Sequence, residues 1–279
     1  MRVLSVTSEV FPLIKTGGLA DVAGALPPAL AKRGIEMRTL LPGYPSVLAK
    51  LSKPDVAHTY ASLLGASARL LVEKVDGLDL IVLDSTELFD RPGGPYNDEA
   101  GLDHKDNWRR FAALSRAGAD IAAGSIAAFR PDVLHAHDWQ AALSPAYLRY
   151  GGIDTPSIIT IHNLAFQGHY GAEVFAGLGL PDAAFSLDGV EYYGGVGFLK
   201  AGLQSASAIT TVSPTYAREI QTPEYGMGLD GLVTLRSDVL HGIVNGIDVD
   251  TWDPATDPHL EKTFSARSIK GRRDNRQAL

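Results

Sequence analysis

The sequence contains no cysteine, and its 32 acidic residues outnumber its 25 basic residues, so that its formal net charge is −7. Without cysteine the chain has no disulfides, no catalytic thiols and no thiolate ligands for a metal, which is compatible with a reducing cytoplasm. Proteins that bind nucleic acid usually carry a basic patch and a high isoelectric point, so the acidic balance argues against that class. It does not exclude an anionic ligand, because a local site can bind phosphate against the net charge.

Long hydrophobic runs are also missing. No segment approaches the roughly 18 consecutive apolar residues that a membrane-spanning helix needs. The N-terminus lacks the charged region and the apolar region of a signal peptide. We therefore expect a soluble, cytoplasmic protein that has neither a membrane nor a nucleic acid as its partner.

Several sequence motifs of catalytic and nucleotide-binding sites are absent from the positions at which they would function. The first strand and helix are not joined by the Gly-x-Gly-x-x-Gly run of dinucleotide-binding proteins, and no P-loop sequence occurs. No Gly-x-Ser-x-Gly elbow marks a serine hydrolase. Carboxylate pairs are easy to find among so many acidic residues, and nothing singles out one pair for glycoside hydrolysis. These absences disfavour a nicotinamide-binding protein and both classes of hydrolase.

The composition is that of an ordinary globular protein, with 45% hydrophobic and 20% charged residues. Its 279 residues suffice for one large α/β domain or two smaller ones. Apolar runs predict strands at 3–6, 37–41, 68–73, 78–83, 131–137, 157–161, 208–212 and 241–247. Helical spacing predicts helices at 19–33, 108–123, 141–150 and 189–206, the first of them kinked or restarted at Pro27 and Pro28. We expect one domain over 1–254, and a linker or the start of another domain over 255–279.

Strands that alternate with helices predict a doubly wound, mainly parallel, Rossmann-like α/β sheet with right-handed crossovers. The Asp-Gly pair at 76–77 joins two apolar runs and predicts a hairpin, hence an antiparallel edge on this sheet. Ligands of such sheets bind beyond the carboxyl ends of the strands, at a switch in strand order. Polar residues follow the predicted strands at 15–18, 137–140, 162–163, 213 and 245. We therefore expect them to converge on one crevice.

The first strand, turn and helix form the unit that we expect to bind an anion. A helix that begins after a glycine turn aims backbone N–H groups and the positive end of its dipole at a phosphate. Gly17 and Gly18 would let the backbone approach the phosphate closely and adopt positive φ, and Lys15 would add a positive charge. An ordinary turn with a solvated lysine is the alternative.

The run His135-Ala-His137-Asp138 contains residue types that bind metals. On a strand, however, His135 and His137 face one side and Asp138 faces the other, and no second pair of ligands follows at a diagnostic spacing. We therefore expect no metal. Neutral histidines that hydrogen-bond at a strand end are one alternative, and a role in the crevice is another. Trp139 considered alone is more typical of a core residue.

Several motifs, in this order, resemble those of the bacterial glycogen synthases and plant starch synthases. They are Lys-Thr-Gly-Gly-Leu-Ala-Asp-Val at 15–22, His-Asp-Trp-Gln at 137–140, Thr-Ile-His-Asn at 160–163, Tyr-Gly-Met-Gly-Leu-Asp-Gly at 225–231 and Val-Asn-Gly-Ile-Asp at 244–248. The resemblance extends from Met1 to about Pro254. It implies transfer of glucose from ADP-glucose to the non-reducing end of an α-1,4-glucan such as glycogen, with retention of configuration and without a metal or another cofactor.

The resemblance also implies roles for individual residues. Lys15 would contact the diphosphate of ADP-glucose, with Gly17 and Gly18 in the same turn. Asp138 would be catalytic by orienting hydroxyls or by stabilising positive charge on the reacting sugar. His162 would hydrogen-bond the glucose that is transferred.

The same resemblance implies roles for three further positions, and three more candidates are added from their local sequence. Asn163 and Asn245 would support the donor, and Trp139 would pack against a sugar face. The alternatives are that His162 and Asn163 cap the next segment and that Asn245 and Gly246 form an ordinary turn. Tyr96 lies in a loop rich in Gly and Pro, where an exposed ring could stack on an acceptor sugar. The remaining acceptor-side candidates are Asp21 and Glu9.

Proteins of this family have two Rossmann-like domains that face each other across a cleft, which is the GT-B arrangement. The second domain supplies half of the diphosphate site. The chain resembles the N-terminal, acceptor-side half, and that second domain is missing from it. We therefore expect little or no transferase activity from the chain alone. A glucan-binding or assembly module without turnover is the alternative function.

Overall fold

The computed structural model describes residues 1–249 and 252–279. The chain forms two compact units, Met1–Val244 and Asn245–Leu279. The second unit contains a short helix and a turn bridged between Ser265 and Ser268. The assignment of 255–279 as a linker or as the start of another domain stays a prediction.

All strands found in the described residues lie in the first unit. They are β1 (Arg2–Val6), β2 (Glu36–Pro42), β3 (Asp55–Leu63), β4 (Ala66–Val75), β5 (Leu78–Asp84), β6 (Val133–His137), β7 (Ser157–Ile161), β8 (His169–Tyr170), β9 (Glu191–Tyr192), β10 (Gly195–Gly197), β11 (Ala208–Thr211) and β12 (Leu240–Gly242).

Helices connect most of these strands. They are α1 (Gly18–Ala31), α2 (Pro45–Leu48), α3 (Thr86–Phe89), α4 (Asn107–Ala123), α5 (Asp138–Ala141), α6 (Leu143–Tyr150), α7 (Phe198–Ser205), α8 (Pro214–Glu219), α9 (Asp230–Leu235) and, in the second unit, α10 (Gly271–Ala278). Short 3₁₀ helices lie at Ala172–Leu178, Asp182–Ala184 and Ser237–Val239. No helix in the described residues combines the length and apolarity needed to cross a bilayer.

Within the described residues, nine strands form one sheet in the order β12-β11-β7-β6-β1-β2-β5-β4-β3. Every pair from β12 to β5 is parallel, which confirms the predicted doubly wound sheet. From β1 the chain moves outward to β2 on one side, and later returns to β6 on the other side of β1. The strand order therefore reverses between β1 and β6, which is where a crevice for ligands opens in such sheets.

The antiparallel edge of the sheet is also as predicted. Strands β4 and β5 form a hairpin through Asp76 and Gly77, which both have positive φ, as the tight turn of a two-residue hairpin requires. Strand β3 adds to this edge and was not predicted from the sequence. Five of its nine residues are exposed, three are partly buried and one is buried, so its apolar pattern is weak.

Four predicted elements are wrong in part. Helix α1 runs through Pro27 and Pro28 as one element to Ala31, because the face that includes Pro27 is buried and packs against β2 and β5. Only the end of the predicted helix at 189–206 is helical. Its glycine-rich first part forms β9 and β10, which pair with β8 in a small antiparallel sheet.

The third correction concerns the last strand. Strand β12 ends at Gly242, so the predicted strand at 241–247 is too long, and Asn245 lies beyond it in the second unit. The predicted helix at 141–150 begins earlier, at Asp138, and is divided into α5 and α6.

The core lies on both sides of the parallel strands. Helix α6 packs on both α4 and α7; α4 packs on β1 and β6, and α6 on β6 and β7, whereas α1 packs on β2 and β5. Leu4, Val6, Leu40, Ile81 and Ile159 are completely buried, as expected for parallel strands that are covered on both faces. This packing holds the carboxyl ends of β1, β6 and β7 in fixed positions.

Candidate active site at the carboxyl edge of the sheet

Most of the residues singled out in the sequence lie in two clusters, at the ends of adjoining strands. The first cluster follows β1 and includes Glu9, Lys15 and the turn before α1. The second follows β6 and β7 and includes Asp138 and His162. Strands β1 and β6 are hydrogen-bonded neighbours, so the two clusters flank the point where the strand order reverses.

The carboxyl group of Glu9 organises the first cluster. Glu9 is buried, and its side chain accepts hydrogen bonds from the backbone N–H of Thr16 and from the Thr16 hydroxyl, the latter at 2.6 Å. It also accepts the hydroxyl proton of Tyr96. Because that proton goes to Glu9, the hydroxyl of Ser8 donates to the oxygen of Tyr96, at 2.8 Å. Glu9 thus fixes the conformation of the turn just ahead of Gly17.

Lys15 and Asp21 are exposed, and they bind each other. The ammonium group lies 2.7 Å from both carboxylate oxygens, and the side chains are 45% and 52% exposed. The prediction placed Lys15 on the donor and Asp21 on the acceptor, and the structure places the two groups side by side at the start of α1. Both roles stay predictions.

The two glycines of the turn do not have the conformation that we expected. Gly17 has φ −148° and precedes the first helical residue, Gly18, and neither residue has positive φ. A Cβ atom added at either position would meet no atom within 4 Å. The prediction of positive φ was therefore wrong. Neither the backbone torsion angles nor the packing requires glycine at these two positions. Because glycine has no side chain, the space in front of the N-terminus of α1 is open.

Tyr96 is not the exposed ring that its loop suggested. It is partly buried, with its ring 5.8 Å from that of Phe111 and its hydroxyl bound to Glu9 and Ser8. Burial raises its pKa well above the usual range for tyrosine, and the charge of Glu9 adds to the effect. The side-chain amide of Asn107 donates to the carbonyl oxygen of Tyr96 at 2.8 Å. Stacking on an acceptor sugar stays a prediction.

Asp138 connects the ends of β6 and β7. Its backbone has φ 54°, an uncommon conformation that aspartate tolerates better than most residues. Its carboxylate accepts the backbone N–H groups of His162 at 2.8 Å and of Asn163 at 3.4 Å. Strained backbone held in place by surrounding bonds is frequent at functional sites, which makes Asp138 the strongest candidate of the second cluster.

The environment of Asp138 favours a protonated carboxyl group. Burial raises the pKa of Asp138 to about 7, although the two backbone donors lower it, and the negative charge of Glu9 raises it further. The influence of Glu9 also means that the two clusters lie close enough to interact electrostatically. Near neutral pH, the carboxyl group of Asp138 is therefore poised between its two protonation states.

Three histidines form a row beside Asp138. The rings of His135 and His137 face the same side, as predicted, with centroids 4.1 Å apart, and Nδ1 of His137 lies 3.0 Å from Nε2 of His162. His135 Nε2 lies 2.6 Å from the hydroxyl of Thr160, which lies 2.6 Å from that of Thr210.

All three histidines are neutral at physiological pH. Burial lowers the pKa of His162 to about 4 and that of His135 to about 4, and His162 adds to the effect on His135. Burial holds the pKa of His137 well below its usual value, with contributions from both neighbours. Neutral imidazoles in hydrogen bonds are one of the alternatives that the sequence left open. In the described residues, no group of three His, Asp or Glu side chains is arranged to hold a metal.

Trp139 lies mainly in the core. It is 9% exposed, and its ring contacts those of Phe111, Tyr170 and Phe198 at centroid distances of 5.0, 6.3 and 6.3 Å. Gly168 is packed so closely against the indole that a Cβ atom there would overlap it. Packing in the core is thus sufficient to explain a tryptophan at position 139. Contact of its small exposed part with a sugar stays a prediction.

Asn163 and Asn245 belong to different compact units of the chain. Asn163 is exposed directly after His162, and its side-chain oxygen accepts the backbone N–H of Ala165 at 3.0 Å, which matches the capping role that was the alternative. Asn245 is an exposed residue of the second unit. Its donor contact stays a prediction.

Several residues that support the site were not singled out from the sequence. Thr16 and Ser8 complete the hydrogen bonds around Glu9 and Tyr96. Arg110 is completely buried and donates to the carbonyl oxygens of Leu88 and Pro95, at 2.7 and 2.9 Å. It thereby anchors the loop that carries Tyr96. The sequence feature that could have revealed this role is that Arg110, a charged residue, falls on the apolar face of the helix predicted at 108–123.

A Gly-x-Gly-x-x-Gly run does occur at 226–231, outside the first strand and helix. It begins after α8 and ends in the first two residues of α9, and no strand of the described residues leads into it. The dinucleotide-binding motif requires a strand directly before the glycines, so this run does not support a nicotinamide site.

A family model of the starch synthase catalytic domain matches residues 2–235 of the chain. The chain is 61% identical to a glycogen synthase from Mesorhizobium japonicum and 59% identical to one from Rhizobium etli, in each case over 280 aligned residues. Each alignment covers 100% of this chain and 58% of the relative.

A solved structure agrees with these relatives. The catalytic domain of starch synthase IV from Arabidopsis thaliana, bound to ADP and acarbose, superposes with a TM-score of 0.80 and 29% identity, over 100% of this chain and 58% of that one. Sucrose-phosphate synthase from Thermosynechococcus elongatus shares the fold, with a TM-score of 0.51 and 15% identity. The chain spans 58% of the length of these curated glycogen synthases, and it belongs to the starch synthase catalytic domain family.

Proposed function

We propose that the chain is the acceptor-side half of a glycogen synthase, which transfers glucose from ADP-glucose to the non-reducing end of an α-1,4-glucan with retention of configuration. The observation that carries the proposal is the position of Asp138. Its carboxyl group binds the backbone of His162 and Asn163 at the end of β7 and senses the charge of Glu9 at the end of β1. A sugar bound between these strand ends would contact both clusters at once.

The turn before α1 would hold the diphosphate of the donor. Lys15 is exposed, and the space in front of Gly17 and Gly18 is open, so an anion could approach the N–H groups at the start of α1, where the helix dipole favours negative charge. The starch synthase IV relative binds ADP, which supports an adenine nucleotide as the leaving group.

The second cluster would hold the glucose that is transferred. His162 is partly exposed and neutral, so it would hydrogen-bond a sugar hydroxyl rather than act as an acid. Asp138 in its ionised form would stabilise the positive charge that develops on the sugar ring, and such preorganised electrostatic stabilisation is a large catalytic contribution. Trp139, Tyr96 and Glu9 would border the acceptor.

The chemistry requires groups on both sides of the leaving diphosphate. The chain supplies one side, and its relatives are longer by a segment comparable to a second domain. We therefore propose the two-domain GT-B arrangement for the complete enzyme and little turnover for this chain alone. No metal and no other cofactor is required in this proposal. A glucan-binding module without turnover is the competing function, and the binding of acarbose by the starch synthase IV relative is the observation in its favour.

The test measures labelled glucose that is incorporated into glycogen from ADP-glucose, with UDP-glucose as the competing donor. The chain is assayed alone and as a fusion to the remaining C-terminal part of the Mesorhizobium japonicum enzyme. We expect activity only in the fusion, with a preference for ADP-glucose. Activity of the chain alone would contradict the missing-half proposal, and an inactive, folded fusion that still binds glycogen would favour the binding module.

A further inference from the structure

His137 is the middle histidine of the row, and one of its two ring nitrogens has a partner. Its Nδ1 lies 3.0 Å from Nε2 of His162. Its Nε2 is buried and has no hydrogen-bond partner among the described residues. His137 itself is completely buried.

The hydrogen bonds available to the two ring nitrogens of His137 distinguish two possible arrangements of the protons on His137 and His162. A neutral imidazole carries one N–H, and the hydrogen bond at one nitrogen determines which nitrogen holds it. If His162 donated to His137, the proton of His137 would sit on Nε2 as a buried N–H without an acceptor. If His137 donates from Nδ1, only a lone pair is left unpaired at Nε2. Buried N–H groups without partners are rarer than buried acceptors without donors, which favours donation by His137.

We propose that His137 is a positioning residue that donates from Nδ1–H to Nε2 of His162, and thereby fixes His162 in the tautomer that carries its proton on Nδ1. The relevance to catalysis rests on the glucosyl transfer proposed above, whereas the tautomer itself does not. Nδ1 of His162 makes no hydrogen bond in the described part of the chain, and His162 is the partly exposed member of the row. His162 would therefore present a fixed hydrogen-bond donor to the oxygen of a sugar hydroxyl.

The rest of the row holds His137 in place. Its ring is stacked on that of His135, with an angle of 34° between the planes. His135 is held in turn by the hydroxyls of Thr160 and Thr210, on β7 and β11. The backbone N–H of His162 is bound to Asp138. Both ends of the contact between His137 and His162 are thus fixed by neighbouring strands.

The row contains no competing proton source among these contacts. Burial keeps all three histidines neutral, so there is one N–H on each ring and no imidazolium at neutral pH. The carboxyl group of Asp138 accepts the backbone N–H of His162, and no hydrogen bond joins it to the His162 ring within the described residues. The tautomer of His162 is therefore controlled by His137 alone.

The decisive experiment is ¹⁵N NMR of the 279-residue chain labelled at histidine, because protonated and unprotonated ring nitrogens resonate in separate regions. We expect the wild-type spectrum at pH 7 to show both His137 and His162 protonated at Nδ1. A proton on Nε2 of His162 would overturn the proposal. This measurement needs no activity and no substitution.

Two variants separate positioning from packing. In His137→Asn the side-chain amide can still donate to His162, and in His137→Leu it cannot. We expect the Nδ1–H form of His162 to be kept in the first variant and lost in the second. If His137→Leu does not fold, the wild-type spectrum still decides. An unchanged His162 spectrum in a folded His137→Leu variant would contradict the proposal.

The fusion described above adds a functional measurement. We expect His137→Leu to lower kcat at least about fivefold with little change in KM for ADP-glucose, as expected for one hydrogen bond lost in the transition state, and His137→Asn to recover most of that loss. An equal loss in both variants would contradict a role through the hydrogen bond. If the NMR result is as expected and the fusion is inactive, then the glucosyl-transfer proposal fails and the tautomer assignment stands.

Discussion

The ammonium group of Lys15 lies 2.7 Å from both carboxylate oxygens of Asp21, at the open N-terminus of α1. The cation proposed to hold the diphosphate is therefore paired with a neighbouring anion. A diphosphate must compete with Asp21 for Lys15, and the exposed pair is weak enough to exchange, because such pairs are typically worth less than about 1 kcal/mol.

We expect Lys15→Ala to lower kcat/KM for ADP-glucose about tenfold or more in the fusion, since a hydrogen bond to a charged group contributes about 1.5–3 kcal/mol. The free energy of unfolding should change by less than about 1 kcal/mol. Lys50→Ala, at another exposed lysine, is the matched control and should change neither quantity. Steady-state kinetics and urea unfolding measure the two. Equal kcat/KM values for Lys15→Ala and Lys50→Ala would remove Lys15 from the donor site.

The glycines of the turn should tolerate alanine in the fold but not in donor binding. A Cβ atom at Gly17 or Gly18 meets no protein atom within 4 Å, so both variants should be as stable as the wild type, or more stable by up to about 1 kcal/mol at the helical position. Their KM for ADP-glucose should rise, because the methyl group occupies the space in front of the N–H groups.

Gly24 provides the contrasting control for these substitutions. It lies within α1, where a Cβ atom would overlap the carbonyl oxygen of Phe11. We expect Gly24→Ala to destabilise the chain by about 1–3 kcal/mol. If Gly17→Ala were as destabilising as Gly24→Ala, then glycine would be needed at position 17 for folding. The presence of glycine there would then no longer support a ligand site.

Removing the hydroxyl of Tyr96 should destabilise the turn that precedes α1. In Tyr96→Phe the buried carboxyl group of Glu9 loses one donor, and we expect a loss of about 1–3 kcal/mol in the free energy of unfolding. Tyr150 is partly buried, and its hydroxyl makes no hydrogen bond within the described residues, so Tyr150→Phe is the control and should have little effect. Comparable losses in the two variants would mean that the bond to Glu9 contributes nothing specific.

The raised pKa of Asp138 predicts a pH dependence of stability. The folded chain keeps the proton on Asp138 up to about pH 7, whereas an unfolded aspartate releases it near pH 4. The folded state therefore binds more protons across this window, and this contribution to stability is lost as the pH rises from about 4 to about 7. His135 and His162, with pKa values of about 4, have the opposite effect, because they are protonated only when unfolded.

Asp138→Asn isolates the contribution of the carboxyl group, and asparagine tolerates the positive φ of this position. We expect the wild type to lose about 1–3 kcal/mol relative to the variant between pH 5 and pH 8, at about 1.4 kcal/mol for each pKa unit. Urea unfolding at several pH values measures the difference. Asp154→Asn, at an exposed position, should show no such trend. A constant difference between wild type and Asp138→Asn would contradict the raised pKa.

The architecture could be predicted from the sequence where the pattern is local. Apolar runs marked β1, β2, β4 to β7 and β11, and the Asp76–Gly77 pair marked the hairpin, because side-chain periodicity and turn conformation depend on neighbouring residues. The predictions failed where packing overrides local preference. Helix α1 continues through two prolines because its face is buried, and the glycine-rich segment before α7 forms strands by pairing with β8.

The sequence by itself determined the family, the parallel sheet and the positions of Lys15, Asp138 and His162 at strand ends. Only the tertiary structure decided what these residues bind. Tyr96 reaches Glu9 across 87 positions of the chain, and His137 reaches His162 across 25. Such contacts depend on the register and spacing of strands that meet only after folding. Burial then sets the pKa values, because desolvation is a property of the packed neighbours and not of the residue or its sequence context.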